Sequence, residues 1–239
     1  MKPVLPFLFF ILFAMLSCDF MHDKIRGNGV IKTETRSTGN FSGVDVSGNI
    51  DVYLKQDSSR SVRIEADENL MEYIVVKTDG DELVIETKEG HNLSGSKDIK
   101  VYVSSPVFSK LEASGACSIN SETVIANPGM ISIDLTGASD ARLELNSPKL
   151  EADLTGASSI TLKGQSKDIS IEATGASHAR CFELMTENAA IAVTGASRAD
   201  VFASVSLRAS ASGASHIKYK GNAAVSKSAS GASSIDKAD

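Results

Sequence analysis

Apolar and polar residues alternate along the carboxyl half of the chain, and the alternation restarts at regular intervals. Two, four and six residues before Gly137 stand Leu135, Ile133 and Ile131, and four and six residues after it stand Ala141 and Leu143. The residues between them are mostly polar. A period of two predicts β-strands with one buried face. Each unit therefore contains at least two strands and leaves no room for a helix of ordinary length.

The alternation is anchored on a repeated motif, Thr/Ser-Gly-Ala-Ser. Its glycines are Gly137, Gly156, Gly175, Gly195, Gly213 and Gly231, preceded by a variant at Ser114-Gly115-Ala116-Cys117. From Gly115 onward the spacings are 22, 19, 19, 20, 18 and 18 residues. A fixed period near 20 is typical of solenoids, whose stacked units share one core. Since the leucine-rich repeat consensus is missing, the pattern predicts an all-β fold: a parallel β-helix of about 19-residue coils.

The register predicts which side chains face the core. The residues expected to be buried are Ile133, Leu135, Leu143, Leu154, Leu162, Ile171, Val193, Val201 and Leu207. Those expected to be exposed are Asp134, Asp153, Glu172 and Arg198. The serine that ends each motif would stack above its counterpart in the next coil. We expect these serines to satisfy backbone groups at the corner rather than to act as nucleophiles.

Residues 39–110 form an irregular β region that is continuous with the repeats of residues 111–239. Gly48 is flanked by Val44, Val46, Val52 and Leu54 in the same register, so we expect an early coil there. The spacing of 67 residues to Gly115 does not fit the later period. The intervening segment predicts a strand at 61–66, a helical turn at 67–73, a hairpin of 74–77 with 82–87, and a strand at 98–103.

The first residues have the features of an export signal. Lys2 is followed by an apolar run from Val4 to Leu16, which is too short to span a membrane. The segment Ala14-Met15-Leu16-Ser17-Cys18 resembles a bacterial lipobox, although Met15 stands where leucine is usual. We therefore expect a signal peptide at residues 1–17, lipidation at Cys18, and a polar lipidated tether at 18–38. The alternative is an ordinary signal peptide with a chance cysteine.

Together these features resemble a known family. They are the lipoprotein signal, Phe41-Ser42-Gly43-Val44-Asp45-Val46-Ser47-Gly48, Asp67-Glu68-Asn69-Leu70, the strand after Asp81, and the Ser/Thr-Gly-Ala-Ser repeats. The chain is similar over residues 39–239 to the "putative auto-transporter adhesin, head GIN domain" family, which is common in Bacteroidetes. The resemblance implies a β-helical fold and a cell-envelope location. It brings no catalytic motif.

Composition narrows the classes of partner. The formal net charge is −6, which argues against nucleic acid as a partner. Besides Cys18, the cysteines are Cys117 and Cys181, three coils apart and therefore too far apart for a disulfide. We expect both to be free, and we expect no cofactor.

One column of outward positions is a candidate site. Three residues after successive glycines stand Asp140, Ser159, His178, Arg198, His216 and Ser234. His178, Arg198 and His216 would form a basic strip about 10 Å long, either a binding strip or variable solvent-facing residues. A zinc site is not expected, because Arg198 separates the two histidines. Asp134, Asp153 and Glu172 align in another column, which could bind cations or simply be solvated.

Two functional classes fit this sequence. The favoured one is a non-catalytic adhesion, binding or structural module, anchored by lipid to the outer membrane of a bacterial envelope and facing the periplasm or the surface. Its partners would be envelope polysaccharide or a surface protein. The rival is a polysaccharide-active β-helix enzyme, a lyase or hydrolase. Tyr53, Tyr73 and Tyr102 lie in the irregular region, whose loops favour a pocket more than the regular repeats do.

Overall fold

A computed structural model of the chain describes residues 23–239. It is 67% strand and 3% helix and forms a β-solenoid of about seven turns, which confirms the predicted fold. The expected signal peptide (1–17) and Cys18 lie outside the described residues and stay predictions. Among residues 23–239, no helix has the length and apolar character needed to cross a membrane.

The amino-terminal region contains nine strands and one short 3₁₀ helix. They are β1 (Asp23–Arg26), β2 (Ile31–Arg36), β3 (Gly43–Gly48), β4 (Asp51–Gln56), β5 (Ser61–Asp67), the 3₁₀ helix (Glu68–Tyr73), β6 (Ile74–Asp79), β7 (Glu82–Thr87), β8 (His91–Ser94) and β9 (Lys100–Ser105). The strands, helical turn and hairpin predicted between 61 and 103 are all found there, with ends shifted by one or two residues.

The repeats form the remaining strands, three of them long enough to run around most of a coil. They are β10 (Lys110–Gly115), β11 (Ser118–Ser121), β12 (Ile125–Ala126), β13 (Met130–Leu135), β14 (Asp140–Gly156), β15 (Ser159–Gly175), β16 (His178–Val193), β17 (Arg198–Phe202), β18 (Ser206–Ala211), β19 (His216–Lys220), β20 (Ala224–Ala229) and β21 (Ser234–Lys237). Neighbouring coils pair in parallel with equivalent positions opposite each other, as Leu154 with Ala173 and Gly156 with Gly175.

Burial follows the predicted register almost completely. All nine apolar side chains expected in the core are buried, from Ile133 to Leu207. Asp153, Glu172 and Arg198 are exposed as expected. Asp134 is a correction, because it is half-buried rather than exposed. Its strand pairs on both sides, with Glu112 and Asp153 directly opposite, and these neighbours cover part of its side chain.

The Gly-Ala corners hold the coils at close range. Gly156 has φ +87°, a left-handed conformation that other residues rarely adopt. The N–H of Ala157 donates to the carbonyl of Gly137 in the preceding coil at 2.7 Å. A Cβ on Gly156 would lie only 2.6 Å from that same carbonyl oxygen. Glycine is therefore required both for its backbone angle and for its lack of a side chain.

The motif serines satisfy backbone groups at the corner. Ser139 and Ser158 are buried, and each donates its hydroxyl proton to the carbonyl three residues earlier, of Thr136 at 2.9 Å and of Thr155 at 2.8 Å. Cys117 occupies the same position, with its sulfur 3.3 Å from the Ser114 carbonyl oxygen. The column of motif serines therefore caps backbone carbonyls at the corners, as the repeat predicted.

Each long coil bends a second time, which the sequence analysis did not identify. Inward positions run through Leu145 and Ser147, then resume at Leu150. Because side chains in a strand alternate between faces, this change of phase marks a turn. Ser147 is buried and donates to the carbonyl of Lys149 at 3.0 Å, and Ser166 repeats the contact one coil later. Buried hydroxyls therefore cap this corner too.

The first coils do not stack in chain order. β3 pairs with β10, which places Gly48 directly opposite Gly115 and confirms the early coil. On their other side, β3 pairs with β7 and β4 pairs with β9. The chain therefore builds the second coil of the stack first, returns to form the coil beneath it, and then crosses to Gly115. This detour accounts for the irregular spacing of 67 residues.

The prediction that residues 18–38 form a tether is partly wrong. β1 pairs in parallel with β8, and β2 pairs antiparallel with β5. β5 in turn pairs antiparallel with β9 and so extends the first coil. The sequence of β2, Ile-Lys-Thr-Glu-Thr-Arg, lacks the apolar face that identifies a strand, and none of its residues is fully buried. Backbone pairing with distant residues makes it a strand.

A buried carboxylate fastens this amino-terminal part. Asp67 accepts hydrogen bonds from the Gly29 N–H at 2.6 Å and from the N–H and hydroxyl of Ser96 at 2.8 and 2.7 Å. Burial would raise the pKa of Asp67, but these hydrogen bonds outweigh it and lower the pKa. Asp67 thus connects three segments that are distant in sequence.

At the carboxyl-terminal end, a lysine covers part of the open core. Lys227 stands at an inward register position opposite the buried Ala209. It is exposed, and its ammonium group donates to the carbonyl of Ile235 at 3.2 Å. A long amphipathic side chain can reach solvent in this way while its stem covers apolar neighbours.

Replacing one corner glycine tests how far the stack depends on it. Gly156→Ala should lower the free energy of unfolding by about 1–3 kcal/mol or more, because alanine is strained at this φ and its Cβ meets the Gly137 carbonyl. Chemical denaturation measures the loss. Ala157→Gly, which leaves the corner angle and the Ala157 N–H bond possible, is the control and should cost clearly less.

The register itself is tested by adjacent residues of opposite orientation. Leu154→Ala should cost about 2–5 kcal/mol because it leaves a cavity in the core. Asp153→Ala removes an exposed side chain and should change stability by less than about 0.5 kcal/mol. Similar unfolding midpoints for the two variants would show that the register is wrong.

Candidate binding face

The strands that follow the corners share one outward face, which runs the length of the solenoid. In its first row, neighbouring positions are Thr33, Glu65, Lys100, Asp51, Ser118, Asp140, Ser159, His178, Arg198, His216 and Ser234. In its second row they are Thr35, Arg63, Tyr102, Tyr53, Asn120, Arg142, Thr161, Arg180, Asp200, Lys218 and Asp236. We call these two rows the post-corner face. At strand spacing it is about 50 Å long.

The structure brings the three residues of the predicted strip together in the first row. His178 pairs with Arg198, and Arg198 pairs with His216. Arg198 is exposed, whereas the two histidines are half-buried. The His216 ring nitrogen Nδ1 lies 3.0 Å from the Ser234 hydroxyl. The strip is therefore a continuous part of the exposed face, three strands wide.

Charges around His178 favour its neutral form. Burial and the positive charges of Arg180 and Arg198 lower its pKa, and these effects outweigh the opposing attraction of Asp200. Its Nε2 lies 3.5 Å from an Asp200 carboxylate oxygen. At neutral pH His178 therefore serves mainly as a hydrogen-bonding group, and the permanent positive charge of the strip comes from arginine.

Asp140 occupies the same row two strands earlier. Burial raises its pKa, although the charges of Arg142 and Arg180 oppose that shift. Arg142 Nη2 lies 2.8 Å from Asp140 Oδ2, close enough for an ion pair. The alignment is poor, so this buried oxygen has no hydrogen-bond donor within the described residues. Asp140 and Arg142 thus neutralise each other and mark the end of the more basic half of the face.

The other end of the face carries a tyrosine pair. Tyr53 and Tyr102 stack with ring centroids 5.2 Å apart and 21° between the ring planes. The Arg63 guanidinium lies 3.9 Å from the centre of the Tyr102 ring. A groove of about 330 Å³ runs beside them, lined also by Lys55, Asp57 and Glu122. Tyr73 does not join the pair and contacts His91 instead.

Sequence reasoning did not place these tyrosines on the same face as the histidine strip. Tyr53 lies five residues after Gly48, the same offset as Arg142 from Gly137, so its row could have been found from the register. Tyr102 has no corner glycine before it, and Arg63 belongs to an antiparallel strand. Only long-range pairing places those two residues on the face.

A column of carboxylates lies on the strands before the corners. Asp45, Glu112, Asp134, Asp153 and Glu172 occupy equivalent positions on five successive coils. Lys110 makes ion pairs with Glu112 at 2.9 Å and with Glu82 at 2.7 Å. Between residues 23 and 239, no group of three or more His, Cys, Asp or Glu side chains is arranged to hold a metal ion.

Repulsion within this column affects two of its members. Burial, then the neighbouring charges of Asp153 and Glu112, raise the pKa of Asp134. Burial, then the charges of Glu112 and Glu82, raise the pKa of Asp45. The ionised forms of both residues therefore cost stability in the folded state.

The two described cysteines are free and buried, as expected. Burial raises the pKa of the Cys117 thiol to about 11 and that of Cys181 to about 12. Thiolates are the reactive form of cysteine, so neither residue is a nucleophile at neutral pH.

The geometry defines a class: a β-solenoid module with a rigid corner scaffold and a long, exposed, chemically varied face. The sequence profile of the family described as "Putative auto-transporter adhesin, head GIN domain" matches residues 40–223. The chain belongs to this family, which confirms the resemblance found from its motifs. A search of curated proteins found no match.

Solved structures share the fold. A putative adhesin from Bacteroides fragilis superimposes with a TM-score of 0.82 at 18% identity, covering 90% of this chain and 100% of its own. A putative lipid binding protein from Parabacteroides distasonis and a putative adhesin from Parabacteroides merdae each give a TM-score of 0.69 at 22% identity, covering 91% of this chain and 100% of their own. At this identity the likeness shows the common fold.

Removing one charge from the carboxylate column should stabilise the protein. The folded state raises the pKa of Asp134 above its usual 3.8, so ionisation costs stability at every pH above the folded-state pKa. Asp134→Asn should therefore increase the free energy of unfolding at pH 7. The gain should shrink as the pH falls through the folded-state pKa and vanish below about 3.8, where the native carboxyl is neutral in both states.

Thermal melts from pH 3 to pH 8 measure this difference. Glu172→Gln is the matched control, because Glu172 is exposed and ends the column, with Ala192 on its far side. It should stabilise less than Asp134→Asn. A lower melting temperature for Asp134→Asn at pH 7 would contradict the repulsion.

Proposed function

We propose that the protein is a non-catalytic adhesion or binding module of the bacterial cell envelope, and that the post-corner face is its contact surface. One observation carries the proposal. The face is a single exposed sheet surface from β2 to β21, on which the scaffold stays constant while the outward residues vary. Such a surface suits an extended partner better than a small molecule. Membership of the adhesin family supports the same role.

The arrangement of charges supports binding over catalysis. β-Helix enzymes that cleave polysaccharides need carboxylates and basic groups on one surface, within reach of the same bond. The carboxylate column of Asp134, Asp153 and Glu172 precedes the corners, whereas His178 and Arg198 follow them. On the post-corner face itself, Asp140 and Asp200 are already held by Arg142 and His178, at 2.8 and 3.5 Å. The motif serines, whose hydroxyls donate to corner carbonyls, are committed to structure.

Lipidation at Cys18 would attach the module to the outer membrane. The apolar run before Cys18 and the lipobox-like Ala14-Met15-Leu16-Ser17 support this step. Because β1 begins at Asp23, only four residues, 19–22, would separate the lipidated cysteine from the first strand. The solenoid would then stand close to the membrane, and its partners would be envelope polysaccharide or surface proteins.

Blocking the face by a bulky group tests the proposal. Arg198→Cys places a reactive thiol on the face, and Arg208→Cys places one on an exposed position before a corner. Buried Cys117 and Cys181 would not compete for a maleimide at neutral pH. The full chain, purified in detergent and coupled to polyethylene glycol at position 198, should lose binding to immobilised envelope polysaccharide and protein. Coupling at 208 should not reduce it.

The anchor is tested in cells. Cys18→Ala should abolish acyl labelling and release the protein from membranes. Labelling that persists in this variant would contradict the anchor. Equal binding after coupling at either position, or multiple turnovers of polysaccharide cleavage, would contradict the non-catalytic contact surface.

A further inference from the structure

The carboxyl-terminal part of the post-corner face holds cations that have no acidic partner among residues 23–239. On the strands that follow the corners beyond residue 139, Arg142 pairs with Asp140 and Lys163 pairs with Glu183, and the His178 ring lies within hydrogen-bond distance of Asp200. None of these contacts includes Arg180, Arg198, Lys218 or Lys220. We call these four residues the cationic patch; Arg180, Arg198 and Lys218 belong to the two rows, and Lys220 stands just outside them, two residues after Lys218. Arg180, Arg198 and Lys218 are exposed and Lys220 is half-buried, on a chain whose formal net charge is −6.

The patch is compact and its geometry is set by the strands. Arg180 and Lys218 stand in the second row on either side of Asp200, and Arg198 stands in the first row between His178 and His216. Arg198 and Lys218 are exposed. The Arg180 guanidinium is held by the Ser159 hydroxyl at 2.6 Å. Asp200, already engaged by His178, is the one carboxylate standing between these cations.

Apolar rings border the patch. Phe182 lies within β16 and Phe202 ends β17, and both are half-buried. The Lys220 ammonium lies 5.1 Å from the centre of the Phe182 ring. Lys220 pairs directly with Phe202 in the neighbouring strand. Cations beside partly exposed rings can contact both an anionic group and the apolar C–H surface of a sugar.

The extension of the patch along the solenoid axis points to a linear ligand. Arg180, Arg198 and Lys218 stand on three successive strands, β16, β17 and β19, at roughly 4.8 Å from one strand to the next. A pyranose residue advances a polysaccharide chain by a similar distance. Guanidinium groups such as that of Arg198 match carboxylates in shape and charge, through two parallel hydrogen bonds. Unpaired, exposed cations attract an anionic chain at short range, within about a Debye length, against the net charge of −6 of the whole chain.

We propose that the cationic patch binds a linear polysaccharide whose sugars carry carboxylates, with the chain lying along the solenoid axis. This inference rests on the binding role proposed above and specifies its ligand class. Arg198 and Lys218 contact the carboxylates, His178 and His216 hydrogen-bond to sugar hydroxyls, and the phenylalanine rings contact a sugar face. Neutral polysaccharide lacks the groups that the patch would bind.

Oligogalacturonate is a defined probe for this ligand class. Titration calorimetry with the full chain in detergent should show binding that weakens as salt is added. The same oligosaccharide after methyl esterification keeps the backbone but loses its charge, and it should not bind. The double variant R198Q/K218Q should weaken binding by about tenfold or more, since it removes the contacts to carboxylates.

A matched control separates the patch from overall charge. R208Q/K167Q changes the net charge equally at two exposed residues outside the face and should leave affinity unchanged. Absence of binding by the wild-type chain, equal losses in both double variants, or equal binding of the esterified probe would each overturn the proposal. Tighter binding of duplex DNA than of oligogalacturonate would also overturn it. If coupling at position 198 still blocks envelope binding in any of these cases, the ligand class fails while the contact surface stands.

Discussion

The close contact between corner glycines is the constraint on which the structure depends. At seven successive corners the alanine N–H donates to the glycine carbonyl of the coil before, at 2.7–2.8 Å. The Cβ that any other residue would bring to the glycine position lies only 2.5–2.8 Å from that same oxygen. Backbone angle, hydrogen bond and approach distance are thus fixed together. Every coil must then superimpose on its neighbour in one register.

Because the corners are fixed, the inward residues of each coil form a constant scaffold and the outward residues form the surface. Inward positions repeat small or branched apolar side chains, and serine hydroxyls cap the bends. The outward positions do not have to pack in the core or cap a bend, so their residues can vary. The strand before the corner carries carboxylates, and the strand after it carries histidine, arginine and tyrosine. Repetition accounts for the fold, and departures from repetition carry the chemistry. Binding along an extended face is the use that such an arrangement favours.

The two ends of the stack are protected from edge-to-edge association in different ways. An unpaired strand edge invites association with other chains. At the amino-terminal end, antiparallel β5 and β2 continue the sheet, and Asp67 fixes the segments around them through buried hydrogen bonds. At the other end, Lys227 replaces an apolar inward residue and reaches the Ile235 carbonyl. A charged side chain at that position makes further stacking costly.

The sequence by itself determined what local periodicity controls. Alternation identified the strands, and the constant motif set the register that buries Leu154 and exposes Asp153. The constant offset from each motif glycine put His178, Arg198 and His216 in one row. The tertiary structure decided what depends on contacts between distant residues. These are the pairing of Gly48 with Gly115 across 67 residues, the strand character of β2, the partial burial of Asp134, the Tyr53–Tyr102 stack, and the contact of Asp67 with Ser96. The sequence of a repeat predicts the contacts of that repeat, because each coil contacts mainly the coils next to it. An irregular segment is shaped by partners that its own sequence does not specify.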